Sequence, residues 1–239
     1  MRIYKLCVFL TLLTGCITPS VSEFDVYDPA ESFNRKMYAV GETLDNKFFV
    51  PVAKGYKKVT PDGVETAVTN FFGNLRNLDS ALNGFLQGKF ASGATDVGRV
   101  IVNSTLGMAG FFDVATKLGL PHQHEDFGQT LAVWGVKKTR YVFIPVLGPT
   151  TLRDIPGVFV DLLLPRVLMG DLYSFGVAGI DTIDRRAQAL GASNLRDQTA
   201  LDPYAFTREA YYQRRRYVIY DGTPPVEDFD DDLFMDSDE

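Results

Sequence analysis

The sequence predicts a mainly α-helical fold in a single domain, and three observations support this prediction. The chain has 239 residues, which is a typical length for one domain. Apolar residues recur at every third or fourth position through several long segments, as they do in amphipathic helices. Proline follows a side-chain acceptor at three points, which is typical of a helix start. Hydrophobic residues make up 46% of the chain, which is enough to exclude wholesale disorder.

The N-terminus has the layout of a secretory signal. Arg2 and Lys5 are basic, residues 6–13 (LCVFLTLL) are apolar, and small residues follow up to Cys16. The apolar stretch is too short to cross a bilayer, which needs about 20 apolar residues. Residues 13–16 (LTGC) resemble the lipobox of bacterial lipoproteins. This resemblance implies cleavage before Cys16 and a lipid on its sulfur, and the alternative is an ordinary signal peptide with a chance cysteine.

The chain is predicted to have four parts. Residues 1–15 form the lipoprotein signal peptide and residues 16–27 a polar tether. Residues 28–222 form the helical domain, and residues 223–239 form an acidic, disordered tail. Eight acidic residues and no basic ones lie within 227–239, whereas the rest of the mature chain has 22 residues of each sign. A neutral body gives no reason to expect nucleic acid as a partner.

Five segments of the predicted domain have the spacing of amphipathic helices. Three helix starts are predicted at Asp28-Pro29, Thr60-Pro61 and Asp202-Pro203, and Glu31 completes a capping box after Asp28. In the fourth helix Asp184, Arg185 and Arg186 lie opposite the apolar face. The apolar positions of the five helices are Phe33, Met37, Val40, Leu44 and Phe48, then Val64, Val68, Phe71, Leu75, Leu78, Leu82 and Phe85, then Val97, Val100 and Ile101, then Leu172, Phe175, Ile180, Ile183, Ala187 and Leu190, and last Phe206, Ala210 and Tyr211.

Two segments depart from this pattern. Residues 141–147 are strand-like, and Pro145 makes them an edge strand or a bent segment. Residues 155–169 (IPGVFVDLLLPRVLM) are strongly apolar but are interrupted by two prolines, a glycine and an aspartate. This length suits either a buried core segment or a helix pair lying in a membrane interface, and the sequence leaves both interpretations open.

The sequence contains no pattern that indicates catalysis or a cofactor. The two histidines, His122 and His124, lie beside Glu125 and Asp126, but no third histidine is present to complete a metal site. Cys7 would leave with the signal peptide and Cys16 would carry lipid, so neither would serve as a metal ligand. A P-loop, a dinucleotide fingerprint and a G-x-S-x-G nucleophile motif are all missing. We therefore predict no metal, no cofactor and no enzymatic activity.

Clusters of charged residues leave alternatives open. The acids of the tail have the spacing of an EF-hand loop, but Leu233 stands where the loop needs glycine, so a solvated tail is favoured over a calcium site. Three basic clusters either meet phosphate head groups or form ordinary solvated faces. They are Lys54, Lys57 and Lys58, then Lys137, Lys138 and Arg140, then Arg214, Arg215 and Arg216.

Eight separated blocks of the chain resemble the MlaA (VacJ) family, in the family's order and from about Asp28 to Gly222. These blocks are 28–38 (DPAESFNRKMY), 51–61 (PVAKGYKKVTP), 70–77 (NFFGNLRN), 82–89 (LNGFLQGK), 102–115 (VNSTLGMAGFFDVA), 125–136 (EDFGQTLAVWGV), 145–154 (PVLGPTTLRD) and 201–215 (LDPYAFTREAYYQRR). The resemblance does not depend on any one motif, and the acidic tail lies outside it.

The resemblance implies an outer-membrane lipoprotein that transports phospholipid and is not an enzyme. Family members form a helical ring with amphipathic helices embedded in the inner, periplasmic leaflet and an amphipathic channel through it. They associate with trimeric porins, remove phospholipid misplaced in the outer leaflet, and pass it to a soluble periplasmic carrier. Two alternatives remain open: a structural lipoprotein that binds porins without moving lipid, and an envelope phospholipase, which would need His122 or His124.

Residues 102–115 are the predicted lipid path. Gly107 and Gly110 lack side chains, so the backbone there can approach a neighbour or a ligand closely. Apolar groups surround them, and methionine adapts to irregular partners. Helix packing around small residues is the competing interpretation. The apolar members of the predicted path are Leu106, Met108, Phe111 and Phe112.

Overall fold

A computed structural model of the chain describes residues 27–136, 138–170 and 175–225. The signal peptide, Cys16 and the acidic residues of the tail fall outside these residues. The described helices, in chain order, are α1 (Glu31–Leu44), a π-helical turn (Asp45–Phe49), α2 (Val50–Val59), α3 (Asp62–Leu86), α4 (Phe90–Thr105), α5 (Val114–Lys117), α6 (Phe127–Val133), α7 (Ile155–Met169), α8 (Phe175–Gln188), α9 (Leu190–Thr199) and α10 (Pro203–Ile219). The predicted mainly α fold is confirmed.

The strand-like segment forms only half of a small hairpin. Strand β1 (Tyr141–Ile144) pairs antiparallel with β2 (Gly148–Thr151), so that Tyr141 lies opposite Thr151. Pro145 lies in the turn between the strands rather than in a strand, which fits a residue without a backbone donor. The second strand was not predicted, because Gly, Pro and Thr give it no apolar alternation.

Only one of the three predicted helix starts is confirmed. Asp202 accepts hydrogen bonds from the backbone amides of Tyr204 (3.0 Å) and Ala205 (3.2 Å), as an N-cap should. The other two predictions are wrong: α1 has Ala30 at its N-cap, and α3 has Pro61 there, each without a side-chain cap.

Asp28 has a tertiary role in place of the predicted cap. Its carboxylate accepts a hydrogen bond from Asn34 at 2.7 Å, and it pairs with Arg208 of α10 at 3.2 Å. Glu31, predicted to complete a capping box, instead pairs with Arg35 (2.8 Å) and Arg208 (3.1 Å). The carboxylates of Asp28 and Glu31 thus both pair with Arg208, and neither caps the start of α1.

The helices turn their polar faces inward and their apolar faces outward. In α1 the buried residues include Asn34 and Gly41, whereas Phe33 and Leu44 are exposed. In α4 the buried residues are Gly93, Asp96, Arg99 and Asn103, whereas Val97 and Ile101 are exposed. This is the reverse of the arrangement in a soluble domain, where apolar side chains fill the interior.

The same inversion holds along α3, the longest helix. Its buried side chains include Asn74, Asn77 and Asn83, and its predicted apolar positions Leu82 and Phe85 are exposed. Among the described residues, 19 polar or charged side chains are buried against 10 apolar ones, and 5 of those 10 are alanines. Most of the fully buried side chains in this part of the chain are therefore polar.

A compact aromatic cluster forms the main apolar core of the described residues. Tyr38 of α1 packs edge-on against Phe143 of β1 and Tyr204 of α10, with ring centroids 5.2 Å and 5.6 Å apart. Tyr141 joins the same cluster and is 1% exposed. Edge-to-face aromatic pairs stabilise such a core beyond the area they bury. The hairpin and the two terminal helices of the domain are thereby held together.

Residues 155–169 form one helix, α7, and not the helix pair that was one of the two open interpretations. Phe159, Leu163 and Val167 are 60%, 56% and 77% exposed and follow each other at intervals of four residues. The interpretation as a buried core segment is therefore wrong, because an apolar stripe of this helix faces outward. In the part of the chain that the structure describes, no helix is both long and apolar enough to cross a membrane.

Candidate functional site

The predicted lipid path, residues 102–115, is a tight turn that closes the end of α4. The backbone carbonyl of Asn103 accepts a hydrogen bond from the amide of Gly110 at 2.8 Å, and Gly107 accepts one from Phe112 at 2.9 Å. The Asn103 side chain accepts a further bond from the amide of Ala115, also at 2.8 Å. The chain thus folds back on α4 and continues into α5.

The two glycines of this turn are packed against protein. A Cβ atom on Gly107 would overlap the carbonyl oxygen of Phe112 and would lie 2.5 Å from that of Asn103. A Cβ atom on Gly110 would lie 2.8 Å from Asn74 of α3, and the φ of Gly110 is +95°. For these two residues the structure favours packing around small residues over close approach of a ligand.

The apolar residues of the turn face outward. Leu106 and Met108 are each 67% exposed, Phe111 is 41% exposed and Phe112 is 53% exposed. Phe111 stacks on Phe71 of α3, with ring centroids 5.2 Å apart. The six predicted residues therefore have two environments, a packed pair of glycines and an exposed apolar tip. The contribution of either to a lipid path stays a prediction.

Met108→Asp is expected to leave the fold intact. Met108 is 67% exposed and has a φ of 51°, in the left-handed region that aspartate tolerates better than methionine. We expect the free energy of unfolding to change by less than about 0.5 kcal/mol, as for most surface substitutions. Thermal melting of the purified protein in detergent measures this, with Phe72→Asp, at a position 4% exposed, as the unfolding control. A collapse of both variants would place Met108 in a packed core.

Ion pairs and hydrogen bonds between helices hold the polar interior together. Arg76 of α3 contacts Asp181 of α8 at 2.9 Å. Arg186 of α8 contacts Asp45 at 2.7 Å, and Arg196 of α9 contacts Glu42 of α1 at 2.8 Å. The members of these pairs are spread along the chain, which ties the first helices to the last.

Arg99 of α4 fixes the turn and the loop that follows it. Its guanidinium contacts Asp113 at 3.1 Å and donates to the carbonyl of Leu120 at 2.7 Å. Burial raises the pKa of Asp113, but hydrogen bonds from Thr116 and Asn103 together with the charge of Arg99 outweigh it and lower that pKa to about 2. Asp113 therefore stays ionised at neutral pH and also caps α5.

Asp96 is the exception in this interior. It is fully buried, and neither carboxylate oxygen has a hydrogen-bond partner within the usual distance among the described residues. Burial raises its pKa to about 6, although the charge of Arg99 lowers it. A carboxyl group in this environment is held partly protonated near neutral pH.

The histidine loop contains no assembled metal site. The rings of His122 and His124 are 5.9 Å apart, and desolvation lowers the pKa of both, so each is neutral at pH 7. Across the described ranges, no group of three or more His, Cys, Asp and Glu is arranged to hold a metal ion. Glu125 contacts Lys89 at 2.9 Å, and Asp126 caps α6 and pairs with Arg215. Both acids beside the histidines are thus engaged in structure.

Asparagines of α3 form a polar, buried part of the interior that was not predicted from the sequence. Asn74 donates to Ser104 at 3.0 Å, and Asn83 accepts from Thr130 at 2.8 Å. Asn70 donates to the carbonyl of Phe111 at 3.2 Å. Asparagines at 70, 74 and 77 keep the helical spacing, so their period was the signal that could have identified a polar, inward face.

These faces define a class of protein: a helical protein with a hydrogen-bonded polar interior and an exposed apolar exterior. Large exposed apolar patches on a folded chain mark contact with a membrane or with another protein. The class agrees with a family comparison, in which the model of the MlaA lipoprotein family matches residues 26–218. The chain belongs to the MlaA lipoprotein family.

Individual relatives support this membership over most of the chain. A Shigella flexneri protein named "Intermembrane phospholipid transport system lipoprotein MlaA" is 36% identical over 246 residues, covering 98% of this chain and 97% of the relative. A Rickettsia bellii protein is 38% identical over 198 residues, covering 82% and 78%. A chain from a solved structure described as "Structural basis for maintenance of bacterial outer membrane lipid asymmetry" matches with a TM-score of 0.70 and 34% identity. That match covers 80% of this chain and 98% of the other.

Proposed function

We propose that this protein moves mislocalised phospholipid out of the outer leaflet of the outer membrane and so maintains lipid asymmetry. The observation that carries the proposal is the inverted pattern of its helices, with Asp96, Arg99 and Asn103 buried on the face opposite Val97 and Ile101. The exposed face suits contact with acyl chains, and the inner face suits the charged head group. The name of the Shigella relative supports phospholipid transport.

The physical task of such a protein is to lower the cost of moving a head group through hydrocarbon. An unpaired charge in hydrocarbon is expensive, by several kcal/mol or more. A ring of helices in the periplasmic leaflet, polar toward its centre and apolar toward lipid, offers the head group a polar route and the acyl chains an apolar one. No bond is made or broken in this process, so we propose a transporter and not an enzyme.

The proposal includes an anchor and two kinds of partner. Cys16, which lies outside the described residues, would carry the lipid that holds the protein on the periplasmic leaflet. Several acyl chains hold a protein firmly, whereas a single one binds only marginally. A trimeric porin would seat the protein in the outer membrane, and a soluble periplasmic carrier would accept the phospholipid. The acidic tail, 223–239, is proposed to be dispensable for both contacts.

Removal of the anchor cysteine tests the function in cells. In a strain lacking the chromosomal gene, the wild-type chain should lower the phospholipid that an added phospholipase can reach on intact cells. Cys16→Ser should fail to do so and should leave the outer-membrane fraction, because the protein then lacks its acyl chains. Cys7→Ser, a change within the predicted signal peptide, is the matched control and should restore the wild-type level.

Three results would contradict the proposal. Full activity of Cys16→Ser with normal membrane retention would refute the anchor. Wild-type protein that binds porin yet leaves outer-leaflet phospholipid unchanged would refute transport and favour the structural lipoprotein. Activity lost on replacing His122 and His124 with alanine, at a normal protein level, would favour the phospholipase.

A further inference from the structure

An open polar pocket lies where α2, α3 and the end of α8 meet. Its volume is about 320 Å³, within the range of small-molecule sites. The lining includes Lys57 of α2, Asp62, Glu65 and Asn70 of α3, and Gln188 of α8. The pocket therefore brings one cationic and two anionic side chains to one space.

Contacts within the protein fix one wall of this pocket. Glu65 accepts from Lys57 at 3.2 Å and from Gln188 at 2.9 Å, and its side chain is 11% exposed. Thr69, another lining residue, donates to the buried Asp184 at 2.9 Å. The wall is thus built from residues that are already hydrogen-bonded and positioned.

Two charged groups remain open to a ligand. The side chain of Lys57 is 44% exposed, and its ammonium has donors beyond the one that meets Glu65. Asp62 is exposed, and within the described part of the chain its carboxylate has neither an ion pair nor a hydrogen bond. The pocket consequently offers a donor cation and an acceptor anion on neighbouring helices.

Exposed apolar residues neighbour several lining residues of the pocket. Val59 and Val64, at the corner between α2 and α3, are 79% and 51% exposed. Asn70, a lining residue, donates to the carbonyl of Phe111, whose ring belongs to the exposed apolar tip of the 102–115 turn. A charged cavity bordered by apolar surface matches a ligand with a small polar head and apolar chains.

We propose that this pocket binds the head group of a zwitterionic phospholipid with a primary ammonium, of the phosphatidylethanolamine class. Lys57 contacts the phosphate, and Asp62, with Glu65 behind it, contacts the ammonium. The acyl chains lie along the apolar surface toward Phe111. Glu65 already pairs with Lys57, so an anionic head group without the ammonium would leave Asp62 without a cationic partner and would add a net negative charge beside it, which disfavours it. This assignment rests on the proposed transport function, and it names the lipid class that the function would favour.

The test measures binding of soluble short-chain lipids to the purified full-length protein in detergent. Dihexanoyl phosphatidylethanolamine should bind more tightly than dihexanoyl phosphatidylglycerol. Asp62→Asn should weaken binding of the former about tenfold, the equivalent of 1.4 kcal/mol, and leave the latter unchanged or tighter. Lys57→Gln should weaken both, because each lipid presents a phosphate.

Matched controls separate the pocket from general charge effects. Lys58→Gln removes a neighbouring charge of α2 that is absent from the pocket lining, and Asp197→Asn removes an exposed carboxylate of α9. Both should bind the two lipids as the wild type does. Thermal melting of every variant verifies the fold, and Asp62→Glu should recover part of the preference if the carboxylate is what the ammonium meets.

Equal affinity of the wild type for the two lipids, or an Asp62→Asn protein with unchanged preference, would overturn the assignment. If the wild type still lowers outer-leaflet phospholipid in cells, the head-group proposal fails alone and transport stands. If the wild type does not lower it, the proposed function itself fails, whatever the binding data.

Discussion

Arg215→Met is expected to lower the melting temperature of the protein by about 10 °C. Arg215 of α10 is 13% exposed, and it contacts Asp126 at the start of α6 and Asp154 before α7, the latter at 3.1 Å. Removing one partner of a buried ion pair costs about 3–5 kcal/mol, since the other charge stays buried and unpaired. Asp154 retains Arg153 at 2.9 Å, so we expect about 3 kcal/mol. For a chain of this size, each kcal/mol shifts the melting temperature by about 2–4 °C.

Arg214→Met is the matched control for this variant. Arg214 precedes Arg215 on the same helix and is exposed, and no carboxylate among the described residues pairs with it. Its replacement should change the melting temperature by no more than about 2 °C, as surface changes usually do. Equal losses in the two variants would mean that the effect comes from charge in general rather than from the buried pairs.

The effect of Arg215→Met should also depend on pH. Burial raises the pKa of Asp154, but Arg215 and Arg153 outweigh it and hold that pKa below its usual value of 3.8. A carboxyl group with a lowered pKa stabilises the fold above its usual pKa, and this contribution is lost as the pH falls through the lowered value. The difference between wild type and variant should therefore narrow below about pH 4, which melting curves at several pH values would measure.

The helices could be predicted from the sequence, but the direction of their faces could not. The spacing of Val97 and Ile101 located α4, and the spacing of Val64 to Phe85 located α3. Periodicity identifies which residues share a face and gives no information on whether that face meets protein, water or lipid. In this chain the apolar faces point outward, so the rule that apolar residues lie inside fails in these helices.

The ion pairs of the polar interior could not be predicted from the sequence, because their partners lie far apart along the chain. The pair of Asp126 and Arg215 joins residues 89 positions apart, and Glu42 and Arg196 are 154 positions apart. No local pattern predicts such partners. The same interactions explain the wrong prediction at Asp28, which has a good local context for a helix cap but is used by Arg208 instead. At Asp202 the local rule held, although this carboxylate also pairs with Arg35 of α1 at 2.7 Å.

The lipid path stays a prediction, and only the conformation and exposure of its residues can be compared with the sequence. The sequence placed Leu106, Met108, Phe111 and Phe112 together, and the structure finds all four exposed. It did not reveal the left-handed backbone of Met108 and Ala109, with φ of 51° and 58°. Neither residue type favours this conformation, so no residue preference signals it.

Gly107→Ala is expected to be the most damaging small change in the turn. The new methyl group would overlap the carbonyl oxygen of Phe112 and lie 2.5 Å from that of Asn103, and both are backbone atoms that cannot move without opening the turn. Overpacking costs about 1–3 kcal/mol, and a clash with rigid backbone belongs at the upper end. We therefore expect a loss of about 3 kcal/mol in the free energy of unfolding, measured by thermal melting in detergent.

Gly98→Ala, on the helix α4 that precedes the turn, is the control and should have the opposite effect on stability. Its methyl group would lie 3.8 Å from Leu120, which is an ordinary contact, and alanine in a helix interior is more stable than glycine by roughly 0.5–1 kcal/mol. Gly98→Ala should thus raise the melting temperature while Gly107→Ala lowers it. Because Gly107 orients the exposed tip at Met108 and Phe111, its variant should also raise outer-leaflet phospholipid in cells. A Gly107→Ala protein as stable and as active as the wild type would show that the turn does not have this closed conformation.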